Sequence, residues 1–178
     1  GTGSLLDATG ETGGGNVLVG GDWQGSNGVY QAVTVNMENG AKIDASALLN
    51  GNGGKVVLWA NIETPNSLTT ANGVILAKGA SEGGNGGEIE TSAATVDIGS
   101  SAEFNTLAPK GETGLWLIDP YDYTIDATAA LNIAAGLRTS NVAITTASHV
   151  ASYGSNGNSG STGNIAVNSA IAAIGLNT

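Results

Sequence analysis

A glycine-rich corner followed by a short, apolar, alternating segment recurs along this chain, and few architectures accept that pattern. Five copies are present: Gly14-Gly15-Asn16-Val17-Leu18-Val19, Gly53-Gly54-Lys55-Val56-Val57-Leu58, Gly86-Gly87-Glu88-Ile89-Glu90-Thr91, Thr113-Gly114-Leu115-Trp116-Leu117-Ile118 and Thr162-Gly163-Asn164-Ile165-Ala166-Val167. A second element precedes the first three, as Leu6-Asp7-Ala8-Thr9, Ile43-Asp44-Ala45-Ser46 and Ile75-Leu76-Ala77-Lys78, and Phe104-Asn105-Thr106 holds the same place before the fourth. Side chains of a strand alternate between faces, so Leu6, Ala8, Ile43, Ala45, Ile75 and Ala77 share an inner stripe, while Asp7, Thr9, Asp44, Ser46 and Lys78 point to water. Equivalent strands lie about 30 to 40 residues apart, the length of one coil whose loops absorb insertions. One such coil is too small to bury its own apolar stripe. Stacked on neighbours, it hydrogen-bonds above and below and lines a shared interior, which predicts an all-β parallel solenoid.

The composition suits that architecture. Charged residues make up 11% of the chain and aromatics 4%, with 29 glycines, where about 25% charge is usual for a globular domain. The hydrophobic fraction is still 40%, concentrated in runs such as Val17 to Val19, Val56 to Trp59 and Leu115 to Ile118, so the chain is not disordered. Glycine serves where φ is positive or backbones approach closely, and the corners at 51 to 54 and 83 to 87 are of this kind. A net charge of −10 with five Lys and Arg makes nucleic acid and anionic lipid unfavourable partners. No apolar run approaches the ~20 residues of a membrane-spanning helix, so direct membrane insertion is not expected, and no signal peptide is recognisable. Starting in mid-pattern, the chain reads as a piece of something larger. The absence of cysteine removes disulfides and thiolate metal sites, and is compatible with an extracellular location.

Residues 1–125 are expected to form the coils and residues 126–178 to continue them. Within the second part, a short lateral helix is predicted over 128–137, with Leu131, Ala134 and Ala135 at helical spacing, Asp126 or Thr128 as N-cap and Gly136 near the stop. A strand at Val142 to Thr145, a flexible Ser/Gly/Asn loop over 152–162 and the fifth strand copy follow.

The segments Gly-Gly-Asn-Val-Leu-Val-Gly-Gly-Asp-Trp-Gln-Gly at 14–25, Gly-Ala-Lys-Ile-Asp-Ala-Ser-Ala at 40–47, Gly-Asn-Gly-Gly-Lys-Val-Val-Leu-Trp at 51–59 and Gly-Leu-Trp-Leu-Ile-Asp-Pro-Tyr-Asp-Tyr-Thr-Ile at 114–125 closely resemble the filamentous-haemagglutinin-like large exoproteins exported by two-partner secretion. The resemblance covers most of residues 1–125 and is looser beyond. It implies a right-handed parallel β-helix forming the shaft of an adhesin. The Asn-Pro-Asn-Gly signature of that family's secretion domain has no counterpart here, nor does any Asn-x-Ser/Thr acceptor occur.

Candidate chemistry is sparse. Asp119-Pro120-Tyr121-Asp122, with Asp126 nearby, is the best place for a carboxylate pair, since β-helix enzymes that cleave polysaccharides work with paired acids; the competing expectation is that Asp119 satisfies local N–H groups where its strand ends. Gly83-Gly84-Asn85-Gly86-Gly87-Glu88-Ile89 is similar to a calcium-binding nonapeptide turn, but Glu88 replaces its aspartate and Glu90 stands where a large apolar residue belongs. Gly54-Lys55 lacks phosphate-loop spacing, because Leu49 and Val56 occupy the flanking positions. His149 is the only histidine and is expected in solvent. Trp59 and Trp116 are expected to pack inside or under a loop, whereas Trp23, Tyr30, Tyr121 and Tyr123 are open to either core anchoring or sugar stacking.

The expected function is therefore a structural and adhesive rod segment of an extracellular, surface-displayed bacterial exoprotein. No reaction, cofactor, metal or ligand-binding residue is assigned. Its partners would be a glycan or protein on a host or neighbouring cell and the outer-membrane secretion partner of the parent protein, and uncapped ends would favour end-to-end self-association. The rivals are a carbohydrate-active enzyme on the same fold, a stalk for contact-dependent toxin delivery, and a self-assembling filament.

Overall fold

A computed structural model describes residues 1–146 and 163–172. His149 and the predicted loop at 152–162 lie outside the described residues. The first passage of the chain lays down β1 (Leu5–Asp7), β2 (Asn16–Val19) and β3 (Thr34–Met37); the second adds β4 (Lys42–Asp44), β5 (Lys55–Trp59) and β6 (Leu68–Ala71). A third adds β7 (Val74–Leu76), β8 (Glu88–Ala93) and β9 (Thr95–Ile98), after which come β10 (Glu103–Asn105), β11 (Leu115–Pro120) and β12 (Tyr123–Ile125). The helix α1 (Ala127–Gly136) and strands β13 (Asn141–Ile144) and β14 (Ile165–Val167) complete the described chain.

Every named pairing is parallel. The sheets have the orders β1-β4-β7-β10, β13-β11-β8-β5-β2, β3-β6-β9 and β12-β14, so each of the first three passages contributes one strand to each of the first three sheets, and no sheet closes on itself. Leu5 lies opposite Lys42, Lys42 opposite Val74 and Val74 opposite Glu103, steps of 37, 32 and 29 residues. In the five-stranded sheet the steps from Asn16 to Lys55, Glu88, Leu115 and Asn141 are 39, 33, 27 and 26 residues.

Register makes columns of like residues. Leu6, Ile43, Ile75 and Phe104 form one, and Val17, Val56, Ile89, Trp116 and Val142 another. Ile43, Ile75, Phe104, Val56, Ile89 and Trp116 belong to one buried cluster, which also takes Val35, Met37, Ala71 and Ile98 from the third sheet. That third sheet is not apparent in the sequence, because Thr-Val-Asn-Met, Leu-Thr-Thr-Ala and Thr-Val-Asp-Ile carry no glycine corner and only two apolar residues each.

The corner glycines are required chiefly by close approach. Gly15, Gly54, Gly87 and Gly114 stack, and a Cβ on any of the last three would fall inside contact distance of the carbonyl oxygen of the glycine before it in the stack. None of the four has positive φ.

Three expectations are corrected. The fifth member of the large sheet is β13, paired residue for residue with Leu115 to Ile118, whereas the fifth glycine-cornered copy yields β14, which joins β12 instead. The helix expected over 128–137 is present at Ala127–Gly136 with Asp126, one of the two expected residues, as N-cap, but its buried face is Ala130, Ile133 and Gly136, and Leu131 is 72% exposed. Ser46, expected in water, is buried, and its Oγ accepts the Lys78 N–H at 3.1 Å.

Candidate functional site

The outer face of the five-stranded sheet is not left to solvent. Val57, Trp59, Ile62 and Tyr121 form a second buried cluster there, with Trp23 and Ala94 packed against it. The covering segment is residues 20–33, the connection from β2 to β3, which carries a single 3-10 turn at Trp23–Gly25. Asp22 starts that turn: Oδ1 accepts the Trp23 N–H at 2.7 Å and Oδ2 the Asn27 amide at 2.7 Å. Asn27, then the Trp23 N–H, hold the Asp22 carboxyl below its ordinary range. Gln24 follows with φ +49°, a left-handed conformation uncommon for a residue with a side chain.

Gln24 in turn donates its N–H to the Glu90 carboxyl group, 2.9 Å from Oε2 and 3.1 Å from Oε1. Glu90 is completely buried. It stands in the outward column between Val57 and Leu117, and its Oε1 also accepts the Ser92 hydroxyl at 2.8 Å. Asp119, also fully buried, occupies the next row of β11 opposite Ser92, the diagonal neighbour of Glu90. Desolvation dominates the electrostatics here. It pushes the Glu90 carboxyl up to about 7, against the Gln24 and Ser92 hydrogen bonds, with the Asp119 charge adding to the rise and Lys55 opposing it.

Two further contacts fasten the same segment. The Trp59 indole N–H donates to Gln31 Oε1 at 3.1 Å, and Gln31 Nε2 donates to the Gly25 carbonyl at 3.1 Å. Lys55 Nζ lies 4.9 Å from the centroid of the Trp23 ring and 3.2 Å from Glu88 Oε2, so the lysine of Gly54-Lys55 is engaged as a cation against an aromatic and a carboxylate.

The acids singled out in sequence stand in different settings. Asp119 is inside the covered face, Asp122 is exposed and accepts the Asn164 N–H at 2.7 Å, and Asp126 caps α1 through the Ala129 N–H at 2.9 Å. Asp119 and Pro120 are the last two residues of β11, paired with Ser92 and Ala93. In the glycine turn at 83–87, Asn85 takes part in a ladder, receiving at Oδ1 the Glu112 N–H at 3.0 Å while its own N–H reaches Asn52 Oδ1 at 2.8 Å. Among the described residues, no group of three or more His, Asp or Glu is placed to hold a metal ion. Tyr121 and Tyr123 are buried, Trp23 is half-buried and Tyr30 is 85% exposed at the tip of the covering segment.

Glu90 was visible in the sequence only as a mismatch. The usable signal was its register: a lone carboxylate in a column of Leu18, Val57 and Leu117 calls for a cover that supplies a donor. A separate groove of about 450 Å³ opens on the outer side of the four-stranded sheet, lined by Asp44, Ser46, Lys78, Asn105, Leu107 and Pro109 among others. No protein-family model and no curated protein matches the chain.

Proposed function

We propose that this chain is a segment of a right-handed parallel β-helix, serving as a structural and adhesive rod in a surface-displayed bacterial exoprotein. The observation that carries the proposal is the in-register parallel stacking of three strand columns, one strand per passage, on a common interior. Such a stack gains length by adding passages, each about 4.8 Å, and gives rigidity without a large globular core. The resemblance at 14–25, 40–47, 51–59 and 114–125 supports the exoprotein setting, with the secretion partner and a cell-surface glycan or protein as the parent molecule's partners. The carbohydrate-active alternative is weakened by the different settings of the three acids, Asp119 being buried, Asp122 holding the Asn164 N–H and Asp126 capping α1.

A stacked coil tolerates loss of one whole passage, whereas a globule does not. Deleting residues 55–87 joins Gly54 directly to Glu88, which then takes the place of Lys55 and restores the column. The shortened chain is expected to retain β circular dichroism and a cooperative melt, while deletion of 55–71 abolishes both; equal failure of the two deletions refutes the rod. The adhesive role is tested by cell attachment of the parent protein after exchange of the exposed 48–52 and 107–112 loops. Reduced attachment with unchanged export supports a contact role, and unchanged attachment limits the segment to a shaft.

At the first-passage end, Leu6 belongs to the interior column yet is 46% exposed, and β1 has no second neighbour among the described residues. An apolar, unpaired edge favours end-to-end association. Light scattering is expected to rise with concentration and to fall in Leu6→Lys.

A further inference from the structure

We propose that residues 20–33 form a proton-controlled strap, latched over the outer face of the five-stranded sheet by the Glu90 carboxyl group, tight while Glu90 carries its proton and loosened when it ionises. The geometry concentrates the strap's attachment on a few groups. Gln24 adopts a left-handed backbone that turns its N–H inward, and both Glu90 oxygens lie within hydrogen-bond distance of that one donor. The remaining ties are Trp59 to Gln31, Lys55 to the Trp23 ring and, at the far end of the strap, the Asn61 and Leu68 N–H groups, which donate to the Ala32 and Val33 carbonyls at 2.7 and 3.0 Å.

The charged and titratable groups around Glu90 come from every element packed on this face. Lys55 on β5 favours the ionised form, though it is shared with Glu88 of β8; Asp119 on β11 opposes it. Asp22 lies within the strap, while Glu63, Tyr121 and Asp122 lie in the connections that follow β5 and β11. One partly shared cation therefore faces several carboxyl groups, of which Glu90 and Asp119 are fully buried.

The direction follows from what opening does. Lifting the strap returns Glu90 to solvent, where its pKa falls back toward 4.5 from about 7, so opening releases a proton and is favoured by rising pH. Between those two values the closing equilibrium weakens by up to tenfold per pH unit, a ceiling of roughly 300-fold over the whole interval. Above that window no further loosening arises from this group.

Amide hydrogen exchange of the whole 178-residue chain, followed by mass spectrometry from pH 5 to 8 and corrected for intrinsic rates, reads the strap directly. Protection of residues 20–33 is expected to fall across this range relative to the β8 and β11 strands, and to be flat and higher at pH 8 in Glu90→Gln, whose amide keeps the acceptor for Gln24 without the charge. Wild-type protection that does not vary with pH, or a Glu90→Gln profile that follows wild type, overturns the proposal. A ¹³C-carboxyl titration of wild-type Glu90 needs no variant: a midpoint near neutrality supports the latch, and one in the ordinary glutamate range overturns it.

Discussion

Trp116 and Phe104 stack with ring centroids 3.8 Å apart and planes 11° from parallel, joining the four-stranded sheet to the five-stranded one through the interior. The Trp116 indole N–H donates to Thr91 Oγ1 at 3.3 Å, satisfying a buried donor, and Gly136 of α1 packs so closely on the ring that a Cβ there would require Trp116 to move. Two successive passages and the helix thus meet at one side chain.

Removing that side chain is expected to be among the most damaging single changes. Trp116→Ala should cost about 4 kcal/mol through lost burial and the cavity left between Phe104 and α1. Trp116→Phe keeps part of the stack and loses the bond to Thr91, for about 2 kcal/mol. Urea unfolding followed by circular dichroism measures both; equal costs would mean that the polar end of the indole, and not its packing, dominates.

The glycine column makes a different prediction. Gly87→Ala would press a methyl group into the Gly54 carbonyl, where backbone and not a flexible side chain must yield, so about 3 kcal/mol or more is expected. Gly28→Ala, at a strap position with φ +63° and open space around it, should lose only about 1 kcal/mol from left-handed strain. If thermal melts rank them the other way, positive φ and not close approach is what the glycines serve.

The inner columns were legible because repetition and alternation reinforce each other: Ile43 and Ile75 precede their glycine corners at Gly53 and Gly86 by nearly the same distance, and both are buried. Where only one signal was present, the reading failed. Thr69 and Thr91 are fully buried on strands with little apolar content, and stay satisfied because their hydroxyls donate to the Ser92 and Leu117 carbonyls of the next passage, at 2.8 and 3.4 Å. Such pairing is made by passages 23 and 26 residues apart in sequence and leaves no local trace. Likewise Gly163 to Val167 has the corner-strand motif but not the position, since β13 had already taken the sheet edge after α1. Glu90 reads in sequence only through its chain neighbours, whereas its environment is set by the strap from residues 20–33.

Helix α1 and its exit cover strand edges that would otherwise be open, and this can be weakened without touching the interior. Asn132 Nδ2 donates to the Ile98 carbonyl of β9 at 2.8 Å, and Thr139 Oγ1 to the Phe104 carbonyl of β10 at 2.7 Å. Asp126→Ala should cost about 1 kcal/mol by removing the N-cap, and Asn132→Ala a comparable amount, about 1 kcal/mol, by leaving a backbone acceptor with one partner fewer. The pair should be close to additive, because the first acts on the helix start and the second on the sheet edge. A double-mutant cycle in denaturant checks this.

The pH dependence of stability should be asymmetric, with its maximum in weak acid. Hydrogen bonds from Thr9 hold Asp7 below its ordinary pKa, and hydrogen bonds from Thr2 do the same for Glu38. Burial pushes Asp44 up, but Lys42, 2.9 Å away, and Ser46 bring it below its usual value. These depressed carboxyls stabilise the fold above their unfolded pKa, and that contribution is lost as pH falls through their folded values. Glu90 acts in the opposite sense. Raised to about 7, it binds its proton more tightly in the folded chain, so its contribution is fully present below about pH 4.5 and fades as pH climbs to 7, by about 3 kcal/mol in all. Midpoints of thermal unfolding from pH 3 to 9 should therefore peak near pH 5 and decline toward neutrality. In Glu90→Gln the alkaline limb should flatten while the acid limb stays, and an unchanged alkaline limb would assign that loss of stability to another group.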